Sequence, residues 1–251
     1  MPVIELDEAW SIKGHLNGGY LAAVAGQAAS EFFDGAPVLT LSAHYLEVIR
    51  GQGPADIEIT PLRTGRLSTA RLTLSRDNVL VAEFIATVGS PRTSDVRIDD
   101  VEPFDGPAWD QCGSPGPAWS GPGMELLETL DVRLKPTDGS ALIGGQPSTH
   151  PVINGWVSYS DGRAVDPFLV MASWDVLPPT IWCMGIPGNI PTVAAQIVLY
   201  PGEVVGRLAS RVRGQFLSDG IMDETAVLWD ETGRVCATSR QTAVYVPPRQ
   251  S

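Results

Sequence analysis

Three sets of residues in this chain have the chemistry to act on a ligand. Arg63-Thr64-Gly65-Arg66 with Arg71, and Arg207, Arg211 and Arg213 further on, carry forked guanidinium donors at spacings suited to phosphate oxygens beside a cleft. Arginines on strands serve equally as a solvated sheet face. The Gly18-Gly19 doublet follows His15-Leu16-Asn17 at the start of a helical pattern, where missing side chains let a carbonyl oxygen come close to unpaired backbone amides. Asp175 precedes Val176-Leu177-Pro178-Pro179, an apolar setting in which desolvation raises a carboxylate's basicity. Thr192 and Gln241 offer a hydroxyl and an amide, each able to donate and accept. All three also have plain structural readings: a carboxylate accepting backbone bonds at a turn, a strand-starting threonine, a glutamine paired across a sheet.

Other chemistries are poorly served. Cys112, Cys183 and Cys236 are widely spaced and lack a Cys-x-x-Cys or Cys/His cluster, so they read as buried free thiols, with no metal expected. His44 and His150 have no companion at metal-ligand spacing. Gly18-Gly19 lacks the further glycines and preceding strand of a dinucleotide loop, and there is no phosphate-loop lysine. Ser68 is not flanked by the glycines of a nucleophile elbow. With 29 acidic against 17 basic residues, an extended nucleic-acid groove is disfavoured, because phosphate neutralisation needs clustered Lys and Arg. The apolar stretches are cut by Gly, Pro or charge well short of a membrane span. The expectation is a cytoplasmic protein without membrane insertion.

These residues need elements to hold them, and the pattern of elements occurs twice. Asn17 is a cap for a helix from Gly18 through Phe33, with Tyr20, Leu21, Val24, Ala25, Ala28 and Phe32 as its apolar stripe. A strand at residues 40–48 and a hairpin at Asp77-Asn78 come next. In the second half Asp166-Pro167 opens a helical run to Asp175, a strand starts at Thr192, and Thr232-Gly233 makes the late turn. Laying Asn78 on Gly233 sets Ala86 on Gln241, so the second copy has a polar group where the first has none. Two helix-then-sheet units that cannot each cover an apolar helix are expected to pack as one body. The expected division is a first unit at 1–102, a linker at 103–122 rich in Gly and Pro, and a second unit at 123–251 opening with a strand at 126–134. At 251 residues and 43% hydrophobic, the chain can bury a substantial core without staples.

The order of His15-Leu16-Asn17-Gly18-Gly19-Tyr20, Arg63 to Arg71, Leu130-Asp131-Val132-Arg133-Leu134 and Ser173-Trp174-Asp175-Val176-Leu177-Pro178-Pro179 resembles the thioesterase-like superfamily of double hotdog proteins, most of all the type II acyl-CoA thioesterases. The resemblance implies an α+β fold, in which two helix-wrapped antiparallel sheets join into one extended sheet. It also implies a catalytic trio of Asp, Thr or Ser, and Gln around a hydrolytic water. Asp175, Thr192 and Gln241 match those positions. One departure is Val193-Ala194-Ala195, where the family strand commonly carries Leu-Asp-His or a similar polar run.

The activity implied by the resemblance is that of a fatty-acyl or related acyl-CoA thioesterase, with no cofactor. Asp175 acts as base, Thr192 and Gln241 orient the water, and Gly18, Gly19 and His15 stand at the oxyanion or substrate. Arg63, Arg66 and Arg71 are candidate contacts for CoA phosphates. The expected partner is acyl-CoA or another acyl thioester, and a homo-oligomer is expected because each sheet leaves an outer face. Two alternatives stay open: a hotdog hydratase or polyketide tailoring enzyme, and a non-catalytic acyl-binding or lipid-sensing protein.

Overall fold

The computed structural model of the chain describes residues 3–92, 95–96, 98–115 and 123–248. Strands β1 (Val3–Leu6), β2 (Ser11–Ile12), β3 (His15–Leu16), β4 (Val38–Tyr45), β5 (Gly53–Arg63), β6 (Leu67–Arg76) and β7 (Val79–Gly89) belong to the first half. The second half contributes β8 (Leu130–Leu134), β9 (Val152–Tyr159), β10 (Thr192–Leu199), β11 (Leu208–Ser218), β12 (Ile221–Trp229) and β13 (Val235–Val244). The helices are α1 (Gly18–Phe32), α2 (Leu126–Thr129), α3 (Pro136–Gly139), α4 (Pro167–Ala172) and α5 (Thr180–Cys183).

Eleven strands form one antiparallel sheet in the order β1-β5-β6-β7-β4-β10-β13-β12-β11-β9-β8. The halves meet where β4 pairs with β10, with Ala43 opposite Ala195 and Leu41 opposite Ile197. This is the double hotdog of two joined, helix-wrapped sheets. No helix among the described residues is long and apolar enough to cross a membrane.

Register makes the internal repeat quantitative. In the first half Val38 pairs with Val88, a bulge intervenes, and Thr40 pairs with Thr87. In the second half Thr192 pairs with Ala243, a bulge intervenes, and Ala194 pairs with Thr242. Ala86 lies between Leu41 and Ala70 as Gln241 lies between Ala195 and Glu224. Thr192, Glu224 and Gln241 of the second half therefore stand where the first has Val38, Ala70 and Ala86. Those three are buried and apolar, so the fold itself is content with small hydrophobic residues at all three positions.

Asn17 caps α1 as its sequence suggests, its side-chain oxygen accepting the Tyr20 N–H at 3.0 Å. Asp166 does the same for α4 through Leu169. The buried face of α1 differs from the expected stripe: Tyr20, Leu21, Ala22, Ala23, Ala25 and Ala29 are buried, whereas Phe32 is 48% exposed. The reason is that α1 is pressed between the sheet and α4, and its closest approaches to α4 fall at Gly19 and Gly26. A methyl group at Gly19 would lie 2.2 Å from the Ala172 carbonyl oxygen, and one at Gly26 would lie 2.5 Å from Met171 Sδ. Trp10, Tyr20 and Phe168 close the end of this contact, Trp10 stacking on Tyr20 at 5.2 Å.

One other expectation is corrected. The segment expected as a strand from Leu126 begins as α2 and turns extended only at Leu130, because Leu126 is drawn into the core from a helical turn. The described part of the expected linker is a strap held to the second half. Arg211, buried on β11, bonds the Pro103 carbonyl at 3.1 Å, Asn154 Oδ1 at 3.2 Å and the Asp105 carboxylate. Trp156 Nε1 donates to the Pro107 carbonyl at 2.9 Å, Phe104 packs on Trp156 and Trp229, and Arg133 and Arg207 both stack on Trp109. Arginine and aromatic residues thus do the holding that a Gly/Pro-rich segment cannot do through regular backbone pairing. The rest of that segment, residues 116–122 with Trp119, lies outside the described residues.

The helix contact predicts an asymmetry between two glycines. Gly19→Ala meets backbone and should destabilise by about 1–3 kcal/mol, the usual cost of overpacking. Gly26→Ala meets the end of a flexible methionine, and the roughly 1 kcal/mol gain in helix propensity offsets much of its cost. Urea unfolding of the two variants would show the ordering, and equal stabilities would refute it.

Candidate functional site

The site grows out of the contact between α1 and the end of α4. After Ala172 the chain tightens into a 3-10 turn, Ser173–Asp175, which delivers the Asp175 carboxylate to the first turn of α1. Asn17 holds it by two bonds, its Nδ2 donating to the Asp175 backbone oxygen at 2.8 Å and to Oδ2 at 3.0 Å. The Gly19 N–H donates to the same Oδ2 at 3.1 Å. Both glycines make room for this fit: a Cβ would lie 3.0 Å from Asp175 Oδ2 at Gly18 and 3.0 Å from Asp175 Cβ at Gly19.

A cavity of about 520 Å³ opens beside this carboxylate. Leu16, Leu21, Leu177, Trp182 and Ile190 give it apolar walls, and Asp175, Thr192, Glu224 and Gln241 all line it. The structure thus brings the three expected residues to one cavity from the end of α4, from β10 and from β13. Thr192 Oγ1 donates to Gln241 Oε1 at 2.6 Å. Gln241 Nε2 donates to Glu224 Oε2 at 2.8 Å, and Glu224 Oε1 receives the Thr180 N–H at 2.9 Å and the Thr180 hydroxyl at 2.5 Å.

Electrostatics favour a proton acceptor. Burial pushes the Asp175 pKa up to about 7, the neighbouring Glu224 charge adds to the rise, and the Gly19 and Asn17 donors oppose it. Tyr45, on β4, donates to the Gly18 carbonyl at 2.6 Å. Burial and the Asp175 charge hold that phenol well above its ordinary range, so it stays a neutral donor. Glu224 is also raised by burial, an effect opposed by its bonds from Thr180 and Gln241.

The remaining expected residues are placed differently. His15 lines the cavity from an exposed position, its pKa lowered by desolvation and by Arg50. Gly18 lines it too, but the Gly19 N–H is engaged by Asp175 and is not free for an acyl oxygen. That expectation is corrected: Gly19 seats the carboxylate. Arg63, Arg66 and Arg71 are exposed on β5, β6 and the turn between them and do not line the cavity. Arg207 pairs with Glu231 at 2.7 Å and Arg211 holds the strap, which gives both a structural task. Cys112, Cys183 and Cys236 are free and buried.

Sequence reasoning missed Glu224, Tyr45 and Thr180. For Glu224 a signal existed: it sits between Asp223 and Thr225 on an alternating strand, where inward positions are otherwise Met222, Ala226 and Leu228, so a carboxylate breaks the pattern.

Both halves of the chain match known thioesterase domains. Residues 6–89 match the acyl-CoA thioesterase N-terminal domain and residues 98–245 the acyl-CoA thioesterase C-terminal domain. No match was found among curated proteins. Among solved structures, a protein from Thermobifida fusca YX described as a candidate thioesterase II is 28% identical, with 97% of this chain and 91% of that one covered at a TM-score of 0.85. A conserved hotdog protein from Alicyclobacillus acidocaldarius, 20% identical over 98% of this chain and 93% of that one, superposes at 0.81. The tesB protein of Mycobacterium avium subspecies paratuberculosis, 18% identical over 98% and 93%, superposes at 0.76. The last two show a shared fold. The two domain matches succeed one another along nearly the whole chain, and the chain belongs to the acyl-CoA thioesterase family.

Proposed function

We propose that this protein hydrolyses fatty-acyl or related acyl-CoA thioesters by direct attack of water. The observation that carries the reading is a carboxylate near neutral pKa in the wall of an apolar cavity that Thr192 and Gln241 also line. A general base works best with a pKa close to the operating pH. Asp175 takes a proton from water as the water oxygen bonds to the thioester carbonyl carbon. Thr192 and Gln241 hold that water in line, which removes the entropy of finding the geometry. Collapse of the tetrahedral species breaks the carbon–sulfur bond, and the proton on Asp175 passes to the leaving thiolate, giving acid and free thiol. The apolar walls suit the acyl chain. We place the protein in the cytoplasm, and we take it to be a homo-oligomer because Leu62 on β5 and Ile85 on β7 remain exposed on the first half.

Thiol release from a panel of acyl-CoAs tests the reading against its rivals. Water addition to, or loss from, the acyl chain without thiol release would instead mark a hydratase. Binding without turnover would mark an acyl-binding protein.

Replacing Asp175 by the nearly isosteric Asn should lower turnover by about 10²–10⁴-fold, the range for loss of a general base. Unchanged hydrolysis by the folded variant removes Asp175 from the mechanism. The rate kcat/KM should rise with pH and reach half its plateau near 7, where Asp175 loses its proton.

The same shift fixes a stability trend. Because the folded value of about 7 lies above the ordinary 3.8, the associated stability is fully present below pH 4 and is lost as pH rises through 7. Asp175→Asn should therefore gain thermal stability relative to the native chain between pH 5 and pH 8. A gap in Tm independent of pH would contradict the buried-carboxylate account.

Thr192→Val and Gln241→Ala act on one water, so their losses should not multiply. A double variant losing activity by the full product of the two single losses would rule out the shared water.

A further inference from the structure

Glu224 is the group in this cavity whose presence the hydrolytic mechanism does not require. It is 2% exposed, and a carboxylate taken so far from water is costly unless it is fully hydrogen-bonded. The three donors it receives satisfy it: two from Thr180 on Oε1 and one from Gln241 on Oε2. Both oxygens accept, the pattern of an ionised group.

The repeat supplies an internal control. Ala70 occupies the equivalent place in the first half, completely buried and opposite Ala86 as Glu224 is opposite Gln241. Packing at this point of a hotdog sheet is thus met by a methyl group. Thr192 and Gln241 replace Val38 and Ala86 in the same comparison, so the carboxylate comes and goes with the two residues assigned to the water.

We propose that Glu224 is a positioning residue for hydrolysis: its carboxylate locks the Gln241 amide in one of its two orientations and thereby sets which groups of Thr192 and Gln241 face the water. This rests on the thioesterase reading. An amide rotated by 180° would turn its oxygen on a carboxylate oxygen, acceptor against acceptor. With Nε2 held by Glu224 at 2.8 Å, Oε1 is turned to Thr192 and takes its hydroxyl proton at 2.6 Å. The Thr192 oxygen is left to accept from a water, and the second Gln241 N–H is left to donate to it. Among the described residues neither has another partner. A water that gives one hydrogen to Thr192 and receives one from Gln241 has its other hydrogen available for Asp175, the arrangement its deprotonation needs.

Glu224 also acts through space, since its negative charge helps to raise Asp175. Other titratable groups stand around the pair. Tyr45 is held well above its ordinary range, Cys183 on α5 is pushed up to about 12, Asp223 is bound by Arg240 at 2.7 Å, and His15 is lowered from 6.5. Lys13 and Glu47 stand elsewhere on the cavity wall.

The test uses Glu224→Gln, which keeps shape but turns a donor toward Gln241, and Glu224→Ala, which copies Ala70 and guards against a folding defect in the first. Either should lower kcat by about 10- to 100-fold, the value of one hydrogen bond to a charged group, with KM changed less than about threefold by the same reasoning. Adding Gln241→Ala should bring no further loss. The acid limb of kcat/KM should move to lower pH, because Asp175 loses a like-charged neighbour. Unchanged kcat, a fixed acid limb, or a loss that multiplies with that of Gln241→Ala would each overturn the proposal. Carbon-13 NMR of the Asp175 carboxyl group separates this failure from that of the hydrolase reading. If the native chain releases no thiol, the reading fails, yet a titration that falls in Glu224→Gln still upholds the coupling and one that stays in place rejects it.

Discussion

Everything in this site depends on how closely α1 approaches the turn that carries Asp175. Two helices cross with a backbone carbonyl where the Gly19 side chain would be, and this closeness puts the carboxylate under the open amides of a helix start. Such a position normally stabilises negative charge, and Gly19 and Asn17 do donate to Asp175. Burial outweighs them, so the carboxyl ends near pH 7 rather than below its ordinary value. A group in that balance is both orientated and basic. With a larger residue at position 19, α4 would have to move away and take Asp175 out of the cavity wall.

The joined sheet then brings partners to that carboxylate which no single half could supply. Asn17, Gly18, Gly19 and Tyr45 come from the first half and Asp175, Thr180, Thr192, Glu224 and Gln241 from the second. Pairing of β4 with β10 fixes their relation, because one residue of slip would turn every side chain of the strand to the opposite face. The chain thus builds a single polar cluster at a junction between two similar units. Its counterpart positions Val38, Ala70 and Ala86 are filled with hydrophobic packing, so the equivalent point of the first half serves the core alone.

The strap shows a different use of charge. Arg211 lies under residues 102–105, but the carboxylates it meets, Glu102 and Asp105, are 79% and 82% exposed. Exposed ion pairs contribute little; the bonds to Asn154 and the Pro103 carbonyl, together with Phe104 between two tryptophans, do more to hold the segment. This is why the arginines of the second half are not at the cavity, although their spacing on a strand is indistinguishable in sequence from that of a phosphate site.

Much of the architecture is legible in the sequence. Asn17 and Asp166 announce their helices because capping is local chemistry, the Asp77-Asn78 turn adopts the positive φ that its residue types favour, and alternation marks the strands. Asp175, Thr192 and Gln241 were reachable through their resemblance to a family and through the misfit of Gln241 against Ala86. Sequence alone showed that the second half carries a polar residue, Gln241, where the first has Ala86. Only the tertiary structure decided that Gly19 is occupied by Asp175, that Glu224 clamps Gln241 and that Phe32 faces outward. Each of those depends on the distance between segments far apart in the chain, and a hydrogen bond or a desolvated carboxylate is set by such distances, which no local pattern of residue types encodes.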